Sequence, residues 1–137
     1  MATPTATLVD SNVLLDVLTE DPKWYAWSAH ALEAEANRGV LAINPIIYSE
    51  VSVGFHRIEE LDDALPPQSF HRLALPWEAG FLAGKCFQAY RSRGGARRSP
   101  WPDFYIGAHA SVAGLKLLTR DAARFRSYFP TLTLVTP

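Results

Sequence analysis

Three times along this chain a short apolar, β-prone run ends in a polar residue and gives way to a segment with helical spacing. Residues 6–9 (Ala-Thr-Leu-Val) stop at Asp10, after which Val13, Leu14, Val17 and Leu18 recur three and four positions apart. Residues 40–43 (Val-Leu-Ala-Ile) stop at Asn44-Pro45, a helix cap followed by proline at the first helical position, and Ile47, Val51, Phe55 and Ile58 then predict a helix. Residues 115–118 stop at Thr119-Arg120-Asp121, with a short helix after Asp121. No hairpin dipeptide separates the strands. Strands connected through helices pair in parallel, with right-handed crossovers and helices on both faces. The pattern therefore predicts an α/β chain with three layers, α/β/α, around a central, mainly parallel sheet.

The remaining elements fit that plan. Asp21-Pro22 and Gly39 bound a helix over about 22–38, with Trp24, Trp27, Ala31 and Ala34 as its inner stripe. A strand is expected at 71–75 and an apolar helix from about Trp77 to Tyr90. Residues 91–102, with four arginines, two glycines and two prolines, read as a charged surface loop. Pro102 opens a helix that Gly114 closes, and residues 132–135 form a last strand. At 137 residues, with no linker or repeat, the whole of 1–137 is expected to be one domain. With 48% hydrophobic and 20% charged residues it can fold without a structural metal, so any metal would serve chemistry. No run approaches the ~20 apolar residues of a membrane span. The single thiol, Cys86, reads as a small buried residue, and the absence of a secretory signal fits a reducing cytoplasm.

The net charge of −1 is unevenly laid out. Residues 1–84 hold 4 basic and 12 acidic side chains, residues 85–126 hold 9 basic and 2 acidic, so the segments differ as −8 against +7. A polyanionic ligand, a charged protein partner and a merely solvated face all fit that asymmetry.

Ligands of open parallel sheets bind at the carboxyl ends of the strands, which focuses attention on acids placed there. Asp10 and Asp121 each follow a strand and precede a helix, so each could be a helix cap. Glu50 is different: its neighbours at three and four positions are Ile46, Ile47, Val53 and Gly54, which turns a carboxylate towards the protein. An unpaired carboxylate there must take up a proton, meet a cation or bind a metal, and Arg57 lies on another face. Asp103 begins a helix whose inward stripe continues through Ile106, Gly107 and Ala110. Four carboxylates converging on one sheet edge would repel without a divalent cation, and an all-oxygen set suits Mg²⁺ or Mn²⁺ rather than zinc. Such a centre can hydrolyse a phosphodiester without a nucleophilic side chain. Arg91, Arg93, Arg97 and Arg98 of the loop, with Arg120, Arg124 and Arg126, could then hold a phosphate backbone.

These segments resemble the PIN-domain ribonucleases, and within them the VapC-type toxins of VapBC toxin–antitoxin pairs. The resemblance spans essentially the whole chain and rests on Leu8-Val9-Asp10-Ser11-Asn12-Val13-Leu14-Leu15-Asp16, Ser49-Glu50, Asp103-Phe104-Tyr105-Ile106-Gly107-Ala108-His109-Ala110, and Leu118-Thr119-Arg120-Asp121. It implies that Asp10, Glu50, Asp103 and Asp121 bind Mg²⁺ or Mn²⁺ and cleave RNA, tRNA or rRNA being the expected targets. Ser11, which stands where the family often has Thr, would support them together with Asn12 and Thr119. The resemblance further implies a homodimer and a VapB-type antitoxin, with no membrane. Asp16 is expected on the surface or one layer behind the ligands, His109 as a packed or capping residue, and the aromatics Trp24, Tyr25 and Trp27 in the core before a partner surface.

Three other readings compete. A haloacid dehalogenase-type phosphatase needs a second Asp two positions after the first, where this chain has Asn12. A nucleotide-binding module needs a Gly-rich loop after the first strand, which is missing. A catalytically inactive PIN-like scaffold that binds RNA or protein has no use for all four carboxylates.

Overall fold

The computed structural model describes residues 6–95 and 100–137. In chain order the elements are β1 (Thr7–Val9), α1 (Ser11–Leu18), α2 (Tyr25–Arg38), β2 (Leu41–Ile43), α3 (Pro45–Ser52), α4 (Ile58–Ala64), β3 (His71–Arg72), α5 (Trp77–Ser92), α6 (Trp101–Ala113), β4 (Lys116–Leu118), α7 (Ala122–Tyr128) and β5 (Leu134–Val135). The five strands form one sheet in the order β3-β2-β1-β4-β5 with every pairing parallel. The chain runs outward from β1 through β2 to β3, then crosses back to lay β4 against the other side of β1. At such a reversal open α/β sheets hold their ligands beyond the carboxyl ends of the flanking strands, here β1 and β4. The residues that follow these two strands are Asp10 and Thr119-Arg120-Asp121.

The central strands are apolar and buried on both faces, as parallel strands between helices must be. The α6 helix is nearly as buried, with Phe104 and Ile106 through Ala110 inaccessible between α5, α3 and β4. Gly107 lets the ring of Phe129 lie against α6, since a Cβ there would sit 2.3 Å from a ring carbon. A Gly107→Ala substitution must displace that ring and is expected to lower unfolding stability by ~1–3 kcal/mol in urea denaturation. Gly114, at φ +66°, closes α6 in the left-handed conformation that glycine tolerates.

Several boundaries depart from the sequence reading. The single helix expected from Pro45 to Ile58 is two, because Gly54 and Phe55 bond three residues back, to Val51 and Ser52, and tighten the chain into a turn. The acidic stretch 59–63 then lies within α4, where Leu61 is buried and Asp62 accepts from Tyr48 and Arg72. The strand expected at 71–75 is two residues long, although Leu73 still donates to Ile43 O. Helix α5 continues two residues past Tyr90, placing Arg91 in its last turn, where a cation suits the helix dipole. Asp21 does receive the N–H groups of Lys23 and Trp24, both at 2.9 Å, but the turn it caps precedes the regular helix, which starts at Tyr25.

The inner face of α2 is rotated from the expected stripe. Ser28, Ala31 and Glu35 are buried, whereas Trp24 and Trp27 are only partly covered and Tyr25 is exposed. The two inward polar residues have partners: Ser28 donates to Asp16, and Glu35 accepts from Thr7, Arg38 and Lys116. Burial alone pushes the Glu35 carboxyl up, but the two cations hold it below its ordinary value. Buried ion pairs of this kind satisfy the rule that an interior charge be matched.

Candidate active site

Asp10 stands at the carboxyl end of β1 and is 3% exposed. Its backbone occupies the N-cap of α1, yet its side chain makes no capping bond. The carboxylate instead accepts from the Thr119 hydroxyl at 2.7 Å and, at the long limit of 3.5 Å, from Ser11. Asp121, at the N-cap of α7, likewise leaves its side chain out of the cap. The capping role that could have accounted for either acid is thus unused.

The other two acids come from helices. Asn44 caps α3 by accepting from Ile47 N–H, and its amide nitrogen donates to His109 Nδ1 on α6 at 3.0 Å. Nδ1 must therefore accept, which leaves the imidazole proton on Nε2, and burial lowers the His109 pKa further. This bond ties the start of α3, which carries Glu50, to α6, which carries Asp103. Glu50 is half-buried and accepts from Ser11 Oγ at 3.0 Å. Asp103, in the first turn of α6, pairs with Arg124 at 2.8 Å, and Arg57, which lies near in sequence to Glu50, bonds Glu59 instead.

Electrostatics link all four carboxylates. Asp10 is pushed up to about 7, chiefly by burial, with Thr119 opposing and the charges of Asp103 and Glu50 adding to the rise. Burial also raises Glu50, against its bond from Ser11, and Asp103 adds to the effect. Asp103 is raised by burial; Arg124 works against this and Asp121 reinforces it. Among the described residues no ion pair reaches Asp10 or Glu50. Nor do three such side chains there already stand close enough together to enclose an ion. A set of mutually repelling, oxygen-only donors with unbalanced charge fits Mg²⁺ or Mn²⁺ and offers nothing to a metal that prefers nitrogen or sulfur.

A family model described as PIN domain matches residues 7–128. The chain belongs to the PIN-domain family. No curated protein matches it. Among solved structures, this PIN domain is similar to VapBC2 from Rickettsia felis bound to a promoter DNA fragment, with TM-score 0.73 and 19% identity over 96% of this chain and 98% of that one. It is also similar to a toxin–antitoxin complex from Klebsiella pneumoniae (TM-score 0.69, 24% identity, 96% and 97% covered) and to VapBC-1 from nontypeable Haemophilus influenzae (0.71, 17%, 96% and 97%). At these identities the likeness establishes the shared fold.

The supporting side chains of the PIN domain form a continuous network. Asn12 donates to Thr119 Oγ1 at 3.3 Å and accepts from Arg120 N–H at 3.3 Å, while Asp121 N–H donates to Thr119 Oγ1 at 3.0 Å. The basic residues divide. Arg91 and Arg93 are exposed, each over an aromatic ring, and Arg124 is exposed beside Asp103. Arg97 and Arg98 lie outside the described residues. Arg120 is turned inward, its guanidinium bonded twice to Asp16 and set over the Trp24 ring. Asp16 is correspondingly buried rather than on the surface, and periodicity gave no sign of its pairing, because the partners are 104 positions apart.

Proposed function

We propose that this PIN domain is a Mg²⁺- or Mn²⁺-dependent endoribonuclease, the toxin component of a type II toxin–antitoxin pair. The observation that carries the reading is the Asp10 carboxylate at the carboxyl edge of the sheet, buried with no ion-pair partner among the described residues and raised chiefly by that burial, with Asp103 and Glu50 adding to the rise. Asp10, Glu50, Asp103 and Asp121 would hold the cation. Bound there, it supplies activation of a water and neutralisation of charge at the phosphodiester. The Thr119 and Ser11 hydroxyls hold the Asp10 and Glu50 oxygens in place. Arg91, Arg93 and Arg124 present positive charge for the RNA backbone, with Arg97 and Arg98 in the adjoining segment.

A protein partner of the VapB type, and a second copy of the chain, fit the apolar surface left open. Trp77 and Phe81, one turn apart on α5, are 93% and 72% exposed, and Val53 and Ile58 are exposed at the α3–α4 turn. Two large aromatic side chains exposed one helical turn apart are the kind of apolar surface that protein partners cover. No helix among the described residues is long and apolar enough to cross a membrane. Incubation with total tRNA and rRNA in Mg²⁺ or Mn²⁺ is expected to yield discrete fragments that EDTA suppresses. Intact RNA throughout would favour a non-cleaving scaffold.

A further inference from the structure

Asp16 is 3% exposed and a turn beyond Asn12 on α1, and its side chain is held by Arg120 and Ser28. Arg120 Nε and Nη2 donate to it at 2.6 and 2.9 Å, a two-bond fork that fixes the guanidinium plane, and Ser28 Oγ donates at 2.7 Å. The outer side of the guanidinium lies over Trp24, 5.0 Å from the ring centre. The Arg120 backbone N–H meets Asn12, four residues before Asp16 and on the same face of α1. The segment between β4 and α7 is therefore fastened to α1 at two points a helical turn apart. Its neighbours on either side are Thr119, whose hydroxyl orients Asp10, and Asp121.

We propose that the Asp16–Arg120 pair is a positioning clamp: it holds Thr119 and Asp121 over α1 and so sets the affinity of the acidic site for its divalent cation, without touching RNA. This rests on the reading of that site as a metal-dependent nuclease centre. Groups that orient ligands in this way typically change metal affinity by about 10–100-fold. The clamp also takes up the Nε and Nη2 donors of Arg120 on a buried carboxylate, away from a phosphate.

The test is Mn²⁺ titration calorimetry on Asp16→Asn and on the double variant Asp16→Asn/Arg120→Gln, which takes away both charges and leaves none buried alone. RNA affinity in EDTA and cleavage at increasing Mn²⁺ are measured beside it, with Asp103→Asn as reference. The expected result is Mn²⁺ affinity reduced about tenfold or more in both variants, RNA affinity unchanged, and cleavage regained at high Mn²⁺. Wild-type Mn²⁺ affinity in both, with Asp103→Asn impaired, would overturn the clamp and leave the nuclease reading standing. Weakened RNA binding with intact Mn²⁺ affinity in the double variant would make Arg120 a phosphate contact and overturn it too. Loss of folding in both variants would reduce the pair to a structural one. Undiminished Mn²⁺ affinity in Asp103→Asn would instead remove the nuclease reading itself.

Discussion

Asp103→Asn is expected to lower metal-dependent RNA cleavage by at least ~10²-fold, the scale on which single groups that stabilise developing charge act, and to leave the fold intact. The amide keeps the shape of the side chain and a weak acceptor for Arg124, but it cannot supply the charge a hard cation requires. Stability separates this from a structural role. Asp103 is held above its ordinary pKa, chiefly by burial and also by Asp121, so neutralising it relieves a cost in metal-free protein. Its pair with Arg124 is partly exposed and worth little. Thermal melting in EDTA should therefore show Asp103→Asn no less stable than wild type. A large loss would mark Asp103 as a helix-terminal stabiliser, and full cleavage by the variant would remove it from the site.

The second large effect is in pH. Asp10 titrates at about 7 in the folded chain against an ordinary value of 3.8. Between those limits the folded state holds a proton that the unfolded state has released, so the Asp10 contribution to stability falls as pH rises from about 4 to 7. The difference between 3.8 and about 7 corresponds to ~4 kcal/mol at most. Asp21, Glu35 and Asp62 have lowered pKa values and contribute with the opposite slope near pH 4. The raised Glu50 and Asp103 carboxyls share the Asp10 slope, and the difference between wild type and Asp10→Asn reports Asp10 together with its repulsion from those two. In EDTA, Asp10→Asn should gain on wild type progressively through that window and hold its advantage above pH 7. Adding Mn²⁺ should reverse the order above pH 7, because the cation binds the ionised carboxylate and displaces its proton. Parallel melting temperatures for the two proteins across pH 4–8 would contradict the burial of a strained charge at Asp10.

The alternation of apolar runs and helical periods made the parallel sheet legible, because both periodicities are properties of neighbouring residues. The same local logic brought Asp10, Glu50, Asp103 and Asp121 forward, each as an acid at a strand end or on an inward helix face. It failed where the deciding interaction joins distant segments. Ser28 and Glu35 face inward on α2 because Asp16, Thr7 and Lys116 await them there, while hydrophobicity alone favours the tryptophans. The pairing of Asp16 with Arg120 leaves no spacing to read, and charge counting assigned Arg120 to a ligand instead. The break after Ser52 was hidden because Phe55 and Ile58 continue the apolar period across Gly54, where the backbone turns.

The central claim is that these carboxylates form a divalent-cation site, and the most direct test is an anomalous difference map from crystals grown with Mn²⁺. The expected result is a peak in contact with the carboxylates of Asp10, Glu50, Asp103 and Asp121, lost in crystals of Asp103→Asn. A map featureless at the carboxyl ends of β1 and β4, with Mn²⁺ bound elsewhere or nowhere, would contradict it.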